Sequence, residues 1–314
     1  MQIYHFNHKP HPNIPSVVAL GLFDGVHLAH QALLQSTVVE ASKKGALPAV
    51  FWLSNAHHKT SSRLFSDEDI LLHIEKLGIE VVYIADFREV CTLSPTSFAT
   101  NILLSFCHAK SVLCGFNYTF GHKAEGDVQT LLALGQTHGF DVSVLPAICL
   151  DGAPISSSAV RQALQEGQPQ KAGDLLGHPY HLKGIVSRGK GLGRTLSFPT
   201  LNIAIPSDFV HIKRGVYVTL CQIGKNFYPS VSNIGTRPTV ESHGDANCEV
   251  HLLNVEGDFY NTSITLYLLD FLRAEQTFSD TKKLTEQISQ DKENALRYFA
   301  SHNTYWEALT SSLN

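Results

Sequence analysis

Ala19-Leu20-Gly21-Leu22-Phe23-Asp24-Gly25-Val26-His27-Leu28-Ala29-His30 joins two different periodicities. Upstream, Ser16-Val17-Val18-Ala19-Leu20 is an apolar, β-branched run of strand length. Downstream, Leu28, Leu33, Leu34, Val38 and Val39 recur at helical spacing as far as Gly45, a natural stop. The stretch therefore reads as a strand, a tight turn and a helix start. His27 and His30 stand three residues apart, on one face of the first helical turn. Free backbone N–H groups and the positive end of the helix dipole make that turn a seat for phosphate. Two imidazoles there would bridge phosphate oxygens and stabilise charge on a departing pyrophosphate. A pair of ordinary surface histidines is the plain alternative. Zinc is disfavoured, because no third ligand of the HExxH kind lies near.

Composition narrows the classes. A chain of 314 residues is one large domain or two ordinary ones, and 43% hydrophobic with 17% charged residues is the balance of a globular protein with a sizeable core. A net charge of -4 carries no nucleic-acid footprint. No apolar run has spanning length and the N-terminus lacks a signal pattern, so a cytoplasmic protein with no membrane partner is expected. Cys91, Cys107, Cys114, Cys149, Cys221 and Cys248 form no CxxC pair and lie mostly in apolar runs, as reduced thiols do. The expected partners are small molecules, and the chain a monomer or weak homo-oligomer.

Strand and helix patterns alternate through the first half. Ala46 to Leu53, Val81 to Phe87, Val112 to Cys114 and Val142 to Leu150 read as further strands. Ser66 caps one helix that Gly78 stops, Ser94-Pro95 starts another to about His108, and Asp127 to Gly139 is a third. This alternation predicts a mostly parallel, Rossmann-like sheet, which binds ligands beyond the carboxyl ends of its strands. Two more turns fall at such positions. Gly115-Phe116-Asn117-Tyr118-Thr119-Phe120-Gly121 combines glycine turns with aromatics that suit a flat ring. Ile155-Ser156-Ser157-Ser158-Ala159-Val160-Arg161 opens a helix ending near Gly167, with hydroxyls and an arginine suited to a triphosphate. Either is also readable as an ordinary loop or cap.

After Gly167 the pattern changes. Gln168-Pro169 begins a short linker helix, and from Tyr180 the apolar runs are short and turn-bounded: His181 to Ser187, Thr200 to Ile203, Val216 to Ile223, Phe227 to Ile234, Cys248 to Asn254 and Ile264 to Leu272. These predict a compact antiparallel β-barrel, crossed by a terminal helix over 281–301. Gly184 to Gly191 nearly spells a Walker A loop, but Gly191 occupies the Ser/Thr position and no helix follows, which excludes a P-loop. Glu249 interrupts a strand, where Glu is disfavoured, and is a candidate base.

Three N-terminal motifs together, GLFDGVHLAH, GFNYTFG and ISSSAVR, resemble in order those of the nucleotidyltransferase half of the bifunctional riboflavin kinase/FMN adenylyltransferases. The C-terminal run GKGLGRTLSFPTLN resembles that family's kinase motif, Glu249-Val250-His251-Leu252-Leu253 its E-x-H strand, and Phe271 to Phe278 its FLR-x-E-x-x-F element. Asn233 to Thr239 and Asp291 fit as well. The resemblance spans essentially the whole chain and implies an α/β nucleotidyltransferase module (1–177) followed by a riboflavin kinase barrel (178–314).

It further implies ATP contacts from Gly21, Phe23, Asp24, Gly25, Ser156, Ser157 and Arg161 around catalytic His27 and His30, and flavin contacts from Asn117, Phe120 and Gly121. In the kinase it implies Glu249 as base, Gly184, Gly189, Gly193, Arg194, Pro199 and Thr200 at ATP, and Thr200 and Asn202 on Mg²⁺. Riboflavin, FMN, FAD and ATP are then the substrates and products. The departures are Leu22 for Asn, Ala29 for Gly, Ser158 for Thr, Ser197 for Gly, Leu201 for Ala, Asn254 for Asp, and Leu53 to His58 in place of a Phe-x-Pro-His-Pro loop. Ala29 and that loop leave a kinase-only enzyme as a second reading, and a catalytically silent flavin-binding regulator as a third.

Overall fold

The computed structural model describes residues 1–7, 13–54, 62–188, 198–236, 246–255, 257–302 and 310–311. The chain divides into two compact units, Met1–Ser157 and Ser158–Asn314.

In the first unit β1 (Gln2–His5), β2 (Ser16–Leu20), β3 (Leu47–Ser54), β4 (Val81–Asp86), β5 (Ala109–Gly115) and β6 (Asp141–Leu145) form one parallel sheet in the order β1-β4-β3-β2-β5-β6. All five residues of β2 are buried, as befits a central strand of a parallel sheet. The crossovers include α1 (Leu28–Lys44), α2 (Asp67–Lys76), the short α3 (Phe87–Val90) and α4 (Pro95–Ser97), and α5 (Val128–His138). From β2 the chain builds β3 and β4 on one side, then returns to lay β5 on the other. The topological switch point therefore lies between the carboxyl ends of β2 and β5.

Three details differ from the sequence expectation. The strand expected to reach Leu150 ends at Leu145, because Pro146 has no N–H for the ladder; a small hairpin, β7 (Cys149–Leu150) with β8 (Ala153–Pro154), follows. Beyond α4 the chain winds as a π-helix over Phe98–Phe106, with Cys107 N–H donating to Ile102 O at 2.8 Å. Its buried residues Phe98, Ala99, Ile102, Leu103 and Phe106 face the core, a stripe the sequence showed without the wider winding. Strand β1 was not legible as a strand because, as an exposed edge, it carries no apolar run.

The second unit holds most of α6 (Ser157–Glu166), then α7 (Pro169–Leu176) and six antiparallel strands: β9 (His181–Ile185), β10 (Leu201–Ala204), β11 (Gly215–Ile223), β12 (Asn226–Thr236), β13 (Ala246–Leu252) and β14 (Ser263–Arg273). Their order is β10-β13-β12-β11-β14-β9. Ser187, just past β9, bridges Asn202 on β10, its N–H donating to Asn202 O at 2.8 Å, so the sheet curls almost into a closed barrel. A Cβ at Gly184 would lie 2.9 Å from Ile203 Cβ, so glycine there lets β9 approach β10. Ile203, Ile234, Cys248 and Val250 point inward. Helix α8 (Thr281–Ser301) packs Ala295 and Phe299 against Val218, Leu220 and Leu269 on the outside. Arg273 forks onto buried Asp291 of α8, with Nη2 2.7 Å from Oδ2 and Nε 3.0 Å from Oδ1.

Candidate active sites

The turn after β2 is built on unusual backbone. Phe23 (φ 51°), Gly25 (φ 87°) and Val26 (φ 41°) all lie in the left-handed region, which a β-branched valine adopts only under constraint. Burial supplies the constraint: Phe23, Asp24, Gly25 and Val26 are all buried, and Gln31 Nε2 donates to Val26 O at 2.9 Å. The Phe23 ring folds back over Gly21, where a Cβ would lie 3.2 Å from Phe23 Cζ. Gly21 and Phe23 thus shape the turn from beneath. Asp24 Oδ1 accepts from Leu64 N–H at 3.1 Å, and Asp24 O accepts from Ser157 Oγ at 2.6 Å. The serine-rich start of α6 is thereby tied to the histidine turn.

His27 is the N-cap of α1, its Nδ1 accepting from His30 N–H at 3.3 Å. Because Nδ1 accepts, the neutral ring carries its proton on Nε2, the form that donates to a phosphate oxygen. The two imidazoles stack at 3.7 Å between centroids, 11° from parallel, and His30 also meets the Phe23 ring at 5.2 Å. Burial holds His27 down to about 4, and burial followed by the charge of His27 holds His30 well below the usual imidazole range. Both rings are therefore neutral at pH 7. His30 Nδ1 is buried and has no hydrogen-bond partner among the described residues. Ser156 and Arg161 are half-buried, Arg161 one helical turn beyond Ser157 on α6.

Across the switch point, the loop after β5 is held by Phe120. Its backbone pairs with Gly126 in both directions at 2.9 Å, and its ring lies in the core against Phe98 and Tyr118. Gly121 (φ 78°) passes so close to Pro95 that a Cβ would sit 3.1 Å from its nitrogen. Asn117 is exposed. Sequence reasoning passed over two neighbours: Leu22 and Phe116, each 50% exposed, stand two residues beyond Leu20 and Cys114, which are paired in register. They place apolar surface at the switch point, and only the strand order brings them together.

In the barrel, Glu249 is exposed on the outer face of β13, directly opposite Asn202 on β10 and Asn233 on β12. Asn202 is buried, and its Oδ1 accepts from Asn247 Nδ2 at 3.1 Å. His251 Nδ1–H donates to Pro199 O at 2.9 Å, fixing the segment that carries half-buried Thr200. Sequence reasoning missed Asn247, and it named Asn233 only within a motif without placing it opposite Glu249, since cross-strand register is invisible along one strand. It also missed a cavity of about 450 Å³ lined by Val186, Arg188, Asp258, Tyr260 and Asn261, where the Arg188 guanidinium lies 5.3 Å from the Tyr260 ring centre. Gly189, Gly193 and Arg194 lie outside the described residues.

A parallel sheet with a helix-capping histidine and its stacked partner at its switch point, followed by an antiparallel barrel with a carboxylate between two asparagines, defines a nucleotidyltransferase module followed by a kinase module. Family models agree on both halves: FAD synthetase matches residues 9–159 and riboflavin kinase residues 176–299. A bifunctional riboflavin kinase/FMN adenylyltransferase of Bacillus subtilis is 34% identical over 96% of this chain and 99% of its own length. Its counterpart in Escherichia coli is 36% identical over 92% of this chain and 94% of its own. The chain belongs to the bifunctional riboflavin kinase/FMN adenylyltransferase family. A crystal structure from Streptococcus pneumoniae, described as a macrolide-efflux protein, superposes with a TM-score of 0.84 at 25% identity, covering 93% of this chain and 98% of that one. No helix among the described residues of the present chain is long and apolar enough to cross a membrane.

Proposed function

We propose that the chain phosphorylates riboflavin in its C-terminal module (178–314) and adenylylates the resulting FMN in its N-terminal module (1–177), drawing on ATP in both steps. The register that sets Glu249 opposite Asn202 carries the kinase assignment. Glu249 takes the proton of the riboflavin 5′-hydroxyl as that oxygen bonds to the γ-phosphorus, and ADP leaves with the electron pair of the broken P–O bond. The cavity lined by Arg188 and Tyr260 is the proposed seat of the nucleotide. Thr200 and Asn202 offer hard oxygens, and the buried Asn247 Oδ1 has no hydrogen-bond partner among the described residues, a donor set that fits a hydrated Mg²⁺. Bound there, Mg²⁺ would neutralise charge on the phosphates.

In the first module an FMN phosphate oxygen attacks the α-phosphorus of ATP and pyrophosphate leaves. In this reading the His27 Nε2–H, His30, the free N–H groups of α1, Ser156 and Arg161 hold the triphosphate, with Ser157 bracing the turn that bears His27; the N-capping position of His27 and the Ser157–Asp24 hydrogen bond support it. FMN is proposed to lie against Asn117 and Gly121, with Phe120 supporting that loop from the core. Free cysteines and the use of ATP accord with a cytoplasmic location and with small molecules as partners.

Incubation with riboflavin, ATP and Mg²⁺, followed by chromatographic separation of the flavins, tests the reading. FMN followed by FAD is expected. FMN that accumulates without FAD would favour the kinase-only reading raised by Ala29, and no product at all would favour a silent flavin-binding protein.

A further inference from the structure

The proposed chemistry counts Asn247 among the metal-site oxygens but gives its side chain no role of its own. Asn247 is 7% exposed, lies two residues before Glu249 on the same face of β13, and donates from Nδ2 to Asn202 Oδ1 at 3.1 Å. Its own Oδ1 is buried without a hydrogen-bond partner among the described residues. A buried acceptor left without a donor is costly, so such an atom either stores strain or awaits a ligand. The two asparagines sit on neighbouring strands, with Asn247 opposite Ala204 and Asn202 opposite Glu249. The same carboxamide therefore orients the proposed metal-directed oxygen and offers a second oxygen beside it.

We propose that Asn247 is a positioning residue of the kinase metal site, fixing Asn202 through its N–H and accepting through Oδ1 from a water carried by the bound divalent cation. The inference rests on the reading of Asn202 as a metal-directed residue. Mg²⁺ characteristically keeps several of its waters, so a neutral oxygen can act on it at one remove, through one of them. Asn202 Oδ1 retains a second lone pair when it accepts from Asn247, so the hydrogen bond and a cation do not compete. The bond also selects the amide rotamer in which Oδ1, rather than Nδ2, meets the cation.

The test is Mn²⁺ binding to the full chain in the presence of ADP, followed by the electron paramagnetic resonance signal of the free ion. N202A serves as the reference, so that Mn²⁺ held elsewhere is subtracted. Loss of an outer partner of a metal ligand typically weakens binding 10–100-fold, so N247A should raise the dissociation constant of the Asn202-dependent site by about 10-fold or more. The Mg²⁺ needed for half-maximal FMN formation should rise in parallel, with the KM for riboflavin unchanged. Should N247A melt below the assay temperature, N247L, close in volume but without the N–H or the oxygen, is the second variant. It should weaken Mn²⁺ binding in the same way, and unchanged binding would overturn the proposal. If N202A loses the site while N247A binds normally, the role of Asn247 fails alone; if N202A binds as well as the natural chain, the metal assignment falls and takes this inference with it.

Discussion

The Oγ of Ser157 donates to the backbone carbonyl of Asp24 across 133 residues of sequence, at 2.6 Å. Asp24 in turn holds Leu64 N–H through its carboxylate, so three separate segments meet at the turn that bears His27. The hydroxyl is thus spent on shaping the turn, and a ligand meets a turn already braced by it.

Ser157→Ala should therefore loosen the turn as well as remove a hydroxyl. Losing one such hydrogen bond is worth roughly 1 kcal/mol, or about a fivefold change. The KM for ATP in FAD synthesis should rise by about that factor or more, with FMN formation unaffected. Steady-state rates from supplied FMN over an ATP series give the answer, and an unchanged KM would remove Ser157 from the site.

The buried histidines should make the first module acid-sensitive. His27 titrates near 4 in the folded chain against 6.5 unfolded, so between those values the unfolded state binds more protons. Stability from this group is present above 6.5 and lost as pH falls towards 4, by up to about 3 kcal/mol. His27→Asn keeps a good N-cap and removes the titration. Its acid unfolding midpoint should move to lower pH, while its FAD synthesis falls. A midpoint that stays put would show that His27 is not the group responsible.

Ala29 sits in the first turn of α1 between the two histidines. A methyl there narrows the approach of phosphate to the backbone without removing any donor. Natural protein is expected to make FAD, and Ala29→Gly mainly to lower the KM for ATP, at a cost of up to about 1 kcal/mol in helix stability. His30→Ala should chiefly lower kcat. If neither the natural chain nor Ala29→Gly makes FAD, the first module is not a working adenylyltransferase.

Glu249→Gln should stop FMN formation by about 10²–10⁴-fold, the usual loss with a general base, and spare FAD formation from supplied FMN. Gln preserves shape at an exposed position, so thermal unfolding should hardly change. Equal loss of both activities in a folded protein would contradict the division of labour between the modules.

Local signals were legible in the chain itself. The caps at Ser66, Ser94 and Asp127, the stops at Gly45 and Gly139, and the terminal helix Thr281–Ser301 all follow from groups within a few residues of one another. Such features depend on nearby hydrogen bonds and on an apolar period, both properties of sequence. The turns after β2 and β5 could likewise be placed at strand ends, whereas the serine turn, expected to follow β6 directly, comes only after the β7–β8 hairpin. Tertiary structure alone decided that β2 and β5 are neighbours, that Asn202 and Asn233 flank Glu249, and that Asn247 reaches Asn202. It also decided the neutral state of His27, since burial, not residue type, sets that equilibrium. Strand order and register are chosen by packing whole faces against one another, and no single segment contains the partner that makes its pairing favourable.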